Sequence, residues 1–356
     1  MSRWILRVVT AALAAVPAAL SADPVTVSLS PRPIEKAEAA ALAEALQTDY
    51  SALLESTPSL SGYAALAGVQ RPYFARVDVG AKSPLVVLMG WTATGSKREL
   101  CLWVDLNDDR RFAADERVKT TPGGRTVLLG PVERKRPDGT PAAFFVAVTQ
   151  AYEVKAVPTT LRQGTAVFAG KPVRLAVFDA DHNGDCSDMD LGAGGGDLLL
   201  VDGNGDGSWR GAAGSQSSDA EREILPLAPL VQMPDGELYR PEVRPDGTEI
   251  VLRPWEGSRG GLRLECEKVA LDLASEHGPL YLQGRKGILS LPAGRYQVRR
   301  LVVSDPGRNG YWRVPIGFEQ GRAPRIRIEE GQIATLQCGP PFRTLFDVAE
   351  VTGRIS

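Results

Sequence analysis

Three short stretches of the chain carry acidic and amide side chains at alternate positions, and each follows directly on an apolar run. Oxygen atoms at positions 1, 3 and 5 of a tightly curled loop converge on one point, where calcium takes six to eight oxygen ligands at about 2.3–2.6 Å. The residues at these positions are Asp105, Asn107 and Asp109 in the first loop, Asp179, Asp181 and Asn183 in the second, and Asp202, Asn204 and Asp206 in the third. This spacing predicts calcium (Ca2+) as a bound cofactor.

The loops differ at positions 6 and 12, where calcium loops usually carry a glycine and a bidentate carboxylate. The second loop is the best match, because Gly184 and Asp190 stand at these positions and a further acid, Asp185, lies between them. The first loop has Glu116 at position 12 but Arg110 at position 6. A left-handed backbone at an arginine costs about 1–2 kcal/mol.

The third loop has Gly207 at position 6 but Ala213 at position 12, so its last ligand has to come from elsewhere in the chain or from water. All three segments resemble the EF-hand-type loops of dockerin-like and thrombospondin-type-3-like secreted proteins, without the flanking helices of a full EF-hand. The resemblance implies calcium-ligand roles for the matching residues. The alternative is that Asp, Asn and Gly form ordinary surface turns without a metal.

Few residues of this chain suit other chemistry. Two histidines are available to a hydrolytic triad, and we expect His182 to be an exposed turn residue and His277 to lie in another turn. The net charge of −2 and the lack of a clustered basic face argue against nucleic acid as a partner. Four cysteines permit two disulfides, although Cys101 and Cys266 lie in apolar runs that suit buried thiols equally well.

Residues 1–22 have the features of an export signal. Two arginines charge the start, the run 8–20 is almost wholly apolar, and small residues precede the expected cleavage after Ser21 or Ala22. The apolar run is shorter than the roughly 17–25 residues that cross a bilayer. The sequence therefore predicts export to the periplasm or the cell exterior, and a mature chain without a transmembrane segment.

The remaining sequence is typical of a folded, strand-rich protein. The chain has 356 residues, of which 43% are hydrophobic and 24% charged, so a single core is not expected. One helix is predicted over Ser30–Glu55, with Pro31 and Pro33 in its first turn. The other segments are short apolar runs between turn residues, which predict strands, including 85–89, 100–104, 127–129, 144–148, 173–178, 262–266, 280–282, 287–291, 296–303, 312–316, 326–328 and 333–338. Two Pro-Asp-Gly segments, at 137–139 and 245–247, predict hairpins.

These patterns predict a mainly β protein with two β-sandwich-like domains behind a signal peptide and a short N-terminal helix. The expected divisions are the signal peptide 1–22, a helical segment 23–65, a β-rich domain 66–255 with the three acidic loops, and a C-terminal sandwich 256–356 that can lack its last strand.

Two further resemblances support this architecture. The segment 291–296, which reads LPAGRY, is similar to a turn of prealbumin-like and carboxypeptidase-regulatory-like sandwich modules. The pattern from Gly164 to Trp255 resembles a module of uncharacterised exported bacterial proteins, which brings no known activity.

The leading hypothesis is an exported, non-catalytic, calcium-binding structural or binding protein, with a cell-surface protein or a polysaccharide as partner. The alternative is a carbohydrate-binding module or a glycoside hydrolase, because exposed tryptophans stack on sugar rings and paired acids cleave glycosides. We expect Trp103 in the core, since it alternates with apolar neighbours, and Trp209 as the most exposed tryptophan.

Overall fold

A computed structural model describes residues 8–11, 23–45, 60–77, 84–94, 97–118, 126–136, 138–148, 154–191, 196–209, 223–307, 310–317 and 323–336. Its strands are β1 (Val8–Ala11), β2 (Val25–Ser28), β3 (Ser30–Pro33), β4 (Val69–Val77), β5 (Leu85–Thr94), β6 (Lys97–Val104), β7 (Arg117–Val118), β8 (Val127–Lys135), β9 (Pro141–Val148), β10 (Val154–Pro158), β11 (Thr160–Phe168), β12 (Lys171–Phe178), β13 (Leu198–Val201), β14 (Ile224–Pro226), β15 (Val231–Gln232), β16 (Leu238–Val243), β17 (Glu249–Pro254), β18 (Arg259–Ser275), β19 (Gly278–Pro292), β20 (Gly294–Gly307), β21 (Gly310–Gly317), β22 (Arg325–Ile328) and β23 (Ile333–Leu336). Helix α1 covers Lys36–Ala45, and a 3₁₀ turn covers Ala114–Glu116. The protein is therefore mainly β, as predicted.

The predicted helix begins later than expected. Ser30–Pro33 is strand β3, which pairs with β11 at the edge of a sheet, where the missing N–H groups of Pro31 and Pro33 are tolerated. Helix α1 starts at Lys36 and buries Leu42 completely. The predicted end of the helix, 46–55, lies outside the described residues.

The strands of the described segments form five sheets. In chain order they are β4–β7, β8–β10, β3 with β11–β14, β2 with β15–β17, and β1 with β18–β23, and we call them the first to fifth sheets. Among the described strands, all pairings are antiparallel except that of β18 with β23. A buried apolar core lies between each sheet and the next, and α1 packs into the core between the second and third sheets. Stacked antiparallel sheets confirm the predicted sandwich-like class.

Strand β13 shows how one strand supplies two cores. Leu199 and Val201 belong to the core between the third and fourth sheets, whereas Leu198 and Leu200 belong to the core between the second and third. Because successive side chains of a strand point to opposite faces, all four are buried. A continuous apolar run is typical of such a doubly covered strand.

Both predicted Pro-Asp-Gly hairpins are present. The first joins β8 to β9 and the second joins β16 to β17, and in each the glycine N–H donates to the carbonyl of the arginine three residues earlier, Arg136 or Arg244. Gly139 and Gly247 have φ values of +92° and +64°, which explains why glycine is needed at this turn position.

The fifth sheet differs in detail from the prediction. The runs predicted as separate strands at 280–282 and 287–291 are parts of one strand, β19, which forms a long hairpin with β18. The segment 291–296 is the turn between β19 and β20, and the Tyr296 hydroxyl donates to the carbonyl of Pro292 at 2.6 Å. Strand β1, which pairs with β23, lies inside the predicted signal peptide; the other residues of 1–22 are outside the described part.

Three of the four cysteines lie in the described residues. Cys101 and Cys266 are buried, Cys101 and Cys186 are free thiols, and Cys338 lies outside the described residues. Among the described segments, no helix has the length and apolar character that crossing a membrane requires.

We expect Leu199→Ala and Leu200→Ala each to lower the free energy of unfolding by about 2–5 kcal/mol, because each leaves a cavity in a different core. Leu191→Ala is the matched control, since Leu191 is 76% exposed and its truncation should cost less than about 0.5 kcal/mol. Urea unfolding followed by tryptophan fluorescence measures all three. Small losses at both core positions would contradict the two-core placement of β13.

Candidate metal centres

Each acidic loop begins where a buried strand ends. Asp105 follows β6, Asp179 follows β12 and Asp202 follows β13. In all three loops the backbone N–H of position 6 donates to Oδ2 of the aspartate at position 1. The donor and acceptor are Arg110 and Asp105 at 3.1 Å, Gly184 and Asp179 at 2.9 Å, and Gly207 and Asp202 at 3.1 Å.

The loops share two further hydrogen bonds. The N–H of position 5 donates to the side-chain oxygen of position 3, and the N–H of position 7 donates to that of position 5. Positions 4 and 6 both have positive φ, at Asp108 and Arg110, His182 and Gly184, and Gly205 and Gly207. The same order of Asp and Asn therefore folds into the same curl three times. Arg110 does take the left-handed conformation, with φ of +64°.

The sheet register brings one more acid to each loop. Glu116, Asp197 and Glu223 each stand directly before the strand that runs antiparallel to the one that ends at the loop, namely β7, β13 and β14. Only Glu116 falls at position 12. The chain makes longer excursions before Asp197 and Glu223, and for this reason the spacing rule missed both of them.

Asp179, Asp181 and Asp197 form the first candidate centre, which we call the Asp197 cluster. One carboxylate oxygen from each lies within 4.8 Å of the others. Asp179 Oδ1 is buried and accepts no hydrogen bond from the described residues. The two oxygens of Asp197, a fully buried residue, accept the N–H groups of Ala180 and Asp188, both at 3.0 Å.

Asp202, Asp206 and Glu223 form the second candidate centre, the Glu223 cluster, under the same distance limit of 4.8 Å. Asp202 Oδ1 is also buried without a hydrogen-bond donor in the described part of the chain. The Arg174 guanidinium lies 3.3 Å from Asp202 Oδ2, on the other oxygen of the same carboxylate. Both centres thus leave one buried oxygen of the position-1 aspartate available to a ligand.

The first loop has a different environment, although its backbone is the same. Both oxygens of Asp105 accept hydrogen bonds, from the N–H groups of Asp108 and Arg110 and from the Tyr63 hydroxyl at 2.7 Å. Glu116 accepts two backbone N–H groups at 2.9 Å. Among the described residues, the acids of this loop do not gather into a group of three that could share an ion.

The remaining candidate residues of the second loop, Asn183, Asp185 and Asp190, have different hydrogen-bond partners. The Asn183 side-chain amide donates to Asp181 at 3.0 Å and to Asp188 at 2.5 Å, so it borders the Asp197 cluster. Asp185 accepts the Ser187 N–H at 2.9 Å. Asp190, the expected position-12 ligand, accepts the Tyr281 hydroxyl at 2.7 Å and is not brought into the cluster.

The Asp197 cluster has unusual electrostatics because its carboxyl groups are buried close together. Burial raises the pKa of Asp179 to about 7 and that of Asp197 to about 8, from an ordinary value of 3.8. Burial also raises the pKa of Asp181. The Arg136 guanidinium, 3.3 Å from Asp179 Oδ2, opposes the shift at Asp179 but does not cancel it. A cation placed here would favour the ionised carboxylates.

Each centre borders a cavity. Asp179 and Gly184 help to line one of about 250 Å³, and Asn204 and Glu223 help to line another of about 520 Å³. Each cluster therefore has one of its acids, Asp179 or Glu223, at a cavity wall.

Two expectations about neighbouring residues are wrong. His182 is buried rather than exposed, and its Nε2 lies 3.2 Å from the carbonyl oxygen of Ala156. Trp209 is only 2% exposed and packs under the Arg174 guanidinium, 4.1 Å from the ring centre. Trp103 is buried as expected, and His277 lies in a turn against Trp255.

Comparisons with protein-family models, with curated proteins and with solved structures found no match. The functional argument therefore depends on the geometry of the two centres.

We expect the metal-free protein to lose stability as the pH rises from about 4 to about 8. The folded-state pKa values of Asp179 and Asp197 lie above the ordinary value of 3.8, so protons bind the folded state more tightly and their contribution disappears through pH 7–8. Urea unfolding in chelator at about pH 5 and about pH 8 measures the difference in the free energy of unfolding across this titration. Asp197→Asn should reduce it, whereas the exposed control Asp138→Asn should not. An equal pH dependence in all three proteins would contradict the assignment.

Proposed function

We propose that this protein is an exported, non-catalytic calcium-binding protein, in which two ions stabilise a β-sheet scaffold with a structural or binding role. The observation that carries the proposal is the pair of buried oxygens, Asp179 Oδ1 and Asp202 Oδ1, which receive no hydrogen bond from the described residues and stand among other carboxylates. A buried charge without a partner is costly, and a bound cation removes that cost.

The chemistry of the donors favours a hard cation. Both clusters offer carboxylate oxygens, and the Asn183 and Asn204 side chains hydrogen-bond to Asp181 and to the Asp206 N–H. Carboxylate and carbonyl oxygens suit calcium or magnesium. Burial raises the pKa of the nearby Cys186 thiol to about 12, so this group keeps its proton and is a poor ligand for a soft metal. Irregular loops that supply many oxygens suit calcium better than the strict octahedron of magnesium.

The proposed ligands follow the EF-hand-type resemblance at positions 1, 3 and 5 and depart from it at the last ligand. In the second loop they are Asp179, Asp181, Asn183 and Asp197. In the third loop they are Asp202, Asn204, Asp206 and Glu223. Asp197 replaces Asp190, which the spacing rule gave as the last ligand of the second loop, and Glu223 supplies the acid that the third loop lacks at position 12. The sheet register places Asp197 opposite position 1 of its loop and Glu223 opposite Val201, the residue before position 1.

The first loop is proposed to keep its shape without an ion. The Arg134 guanidinium donates to the carbonyls of Asp105 and Leu106 at 3.1 and 2.9 Å, and Tyr63 donates to the Asp105 carboxylate. Protein donors thus occupy the acceptors that calcium would otherwise use. Asp105, Asn107, Asp109 and Glu116 then have a structural role as a hydrogen-bonded turn.

Carbohydrate recognition, the alternative function, loses its leading residue, because Trp209 is buried. Export, cleavage after Ser21 or Ala22 and the absence of catalysis remain parts of the proposal.

We expect calcium to raise the melting temperature by several degrees, since a ligand at a hundredfold excess over its Kd adds about 2.7 kcal/mol per site. Asp197→Asn and Glu223→Gln should each remove roughly half of this rise, because each disables one of two sites. Glu116→Gln is the matched control: its calcium-induced rise should equal that of the wild type, whatever its own stability. Differential scanning calorimetry with calcium and with chelator gives these differences.

Identical melts of the wild type under both conditions, together with elemental analysis that finds no bound metal, would refute the calcium proposal. A loss of the rise in Glu116→Gln alone would move the site to the first loop.

A further inference from the structure

The cavity of about 520 Å³ beside the third loop runs along strand β19. Its lining includes Asn204, Glu223 and Lys268 and every residue from Gln283 to Leu289. Successive side chains of a strand point to opposite faces, so a cavity on one face would touch only alternate residues. Contact with seven successive residues indicates a cavity that follows the edge of the strand.

This edge of β19 is open. On one side β19 pairs with β18 over almost its whole length, and among the described strands it has no second partner. An open edge presents a row of backbone N–H and C=O groups that can pair with another extended chain. We call residues Gln283–Leu289 the open edge.

The first backbone group of the open edge already has a substitute partner. The Gln283 N–H donates to the side-chain oxygen of Gln232 at 2.7 Å, across the end of the cavity. This N–H therefore points away from β18. By the two-residue period of a strand, the N–H and C=O of Arg285 point the same way, into the cavity. The Gln232 side chain thus hydrogen-bonds to one residue of the open edge, as the backbone of an added strand would hydrogen-bond to the residues that follow.

The charged side chains of the open edge itself, Arg285 and Lys286, are both basic, whereas Glu223 and Asp235 line other parts of the cavity. Lys268 and Arg285 are direct cross-strand partners, an arrangement in which like charges repel, and Lys286 follows at once. Arg285 and Lys286 are exposed, and neither forms an ion pair with a described residue. Ile288, which is 49% exposed, adds an apolar surface at the far end. The fitting occupant is extended and carries both acidic and apolar side chains.

We propose that the open edge of β19 binds an extended acidic segment of a partner protein by adding it to the sheet as a further strand. Backbone hydrogen bonds hold the segment, and Arg285 and Lys286 pair with its carboxylates. This inference rests on the binding role proposed above and names the class of partner. The Glu223 cluster borders the same cavity, so a calcium ion there keeps one wall of the site in place.

The test uses a fluorescein-labelled peptide of about nine residues in which glutamate and valine alternate, and the full protein loaded with calcium. Fluorescence anisotropy should show saturable binding. Arg285→Glu combined with Lys286→Glu should weaken it at least about tenfold, because it reverses the charge at the site. Arg325→Glu combined with Arg327→Glu is the matched control, since these arginines are exposed on β22 and outside the cavity. The control should bind like the wild type.

Two N-methylated peptides separate strand addition from charge attraction alone. In one the methyl groups replace the N–H of every residue that faces β19, and in the other they replace the remaining alternate N–H groups. Only the first should lose binding, because an added strand bonds to its neighbour through alternate residues. Equal binding of both peptides would overturn the proposal.

Calorimetric titration with calcium on the same samples separates the two proposals. Calcium binding without peptide binding would refute the strand-addition site and leave the calcium proposal standing. Peptide binding without calcium binding would do the reverse. Self-association of the wild type in light scattering, abolished by the Arg285 and Lys286 double variant, would assign the open edge to a second copy of the chain and overturn the acidic partner.

Discussion

The antiparallel register of β12, β13 and β14 is the constraint on which the site depends. In an antiparallel pair the residue after one strand lies beside the residue before the next, whatever the length of the chain between them. Asp179 therefore lies opposite Asp197 at one end of β13, and at the other end Glu223 lies opposite Val201, within reach of the Asp202 carboxylate. The two acidic clusters are thus separated by the four buried residues of β13, and this strand contributes side chains to two cores.

Burial makes ionisation of these carboxyl groups costly unless a positive charge lies beside them. The third sheet is covered on both faces, so carboxylates at its strand ends lie where water cannot fully solvate them. Arg136 and Arg174 each approach one oxygen of the position-1 aspartate and leave the other oxygen without a donor. In the first loop, the Tyr63 hydroxyl donates to the Asp105 carboxylate and the Arg134 guanidinium donates to the Asp105 carbonyl. The same loop conformation can therefore exist with these donors in place of a proposed ion.

The features that the sequence predicts correctly are those that depend on neighbouring residues. The strands, the two Pro-Asp-Gly hairpins and the order of Asp and Asn in the loops depend on residues close together in the chain. Ser30–Pro33 has the local pattern of a helix start, and its strand partner, β11, lies more than a hundred residues further along the chain, where local patterns carry no information about it. Trp209 was expected to be exposed because it follows a polar loop, but Arg174 and the core beneath it cover the ring. Asp197 and Glu223 could have been found by asking which acid precedes the next strand, rather than which acid stands at position 12.

The central claim is that the register of β13 creates one cation site at each of its ends. The most direct measurement is the crystal structure of the protein soaked with terbium, a calcium substitute with a strong anomalous signal. The account predicts two peaks, one between Asp179 and Asp197 and one between Asp202 and Glu223, about 17 Å apart because Asp202 lies five positions after Asp197 along the strand. A peak at Asp105 and Glu116, with none at the ends of β13, would contradict it.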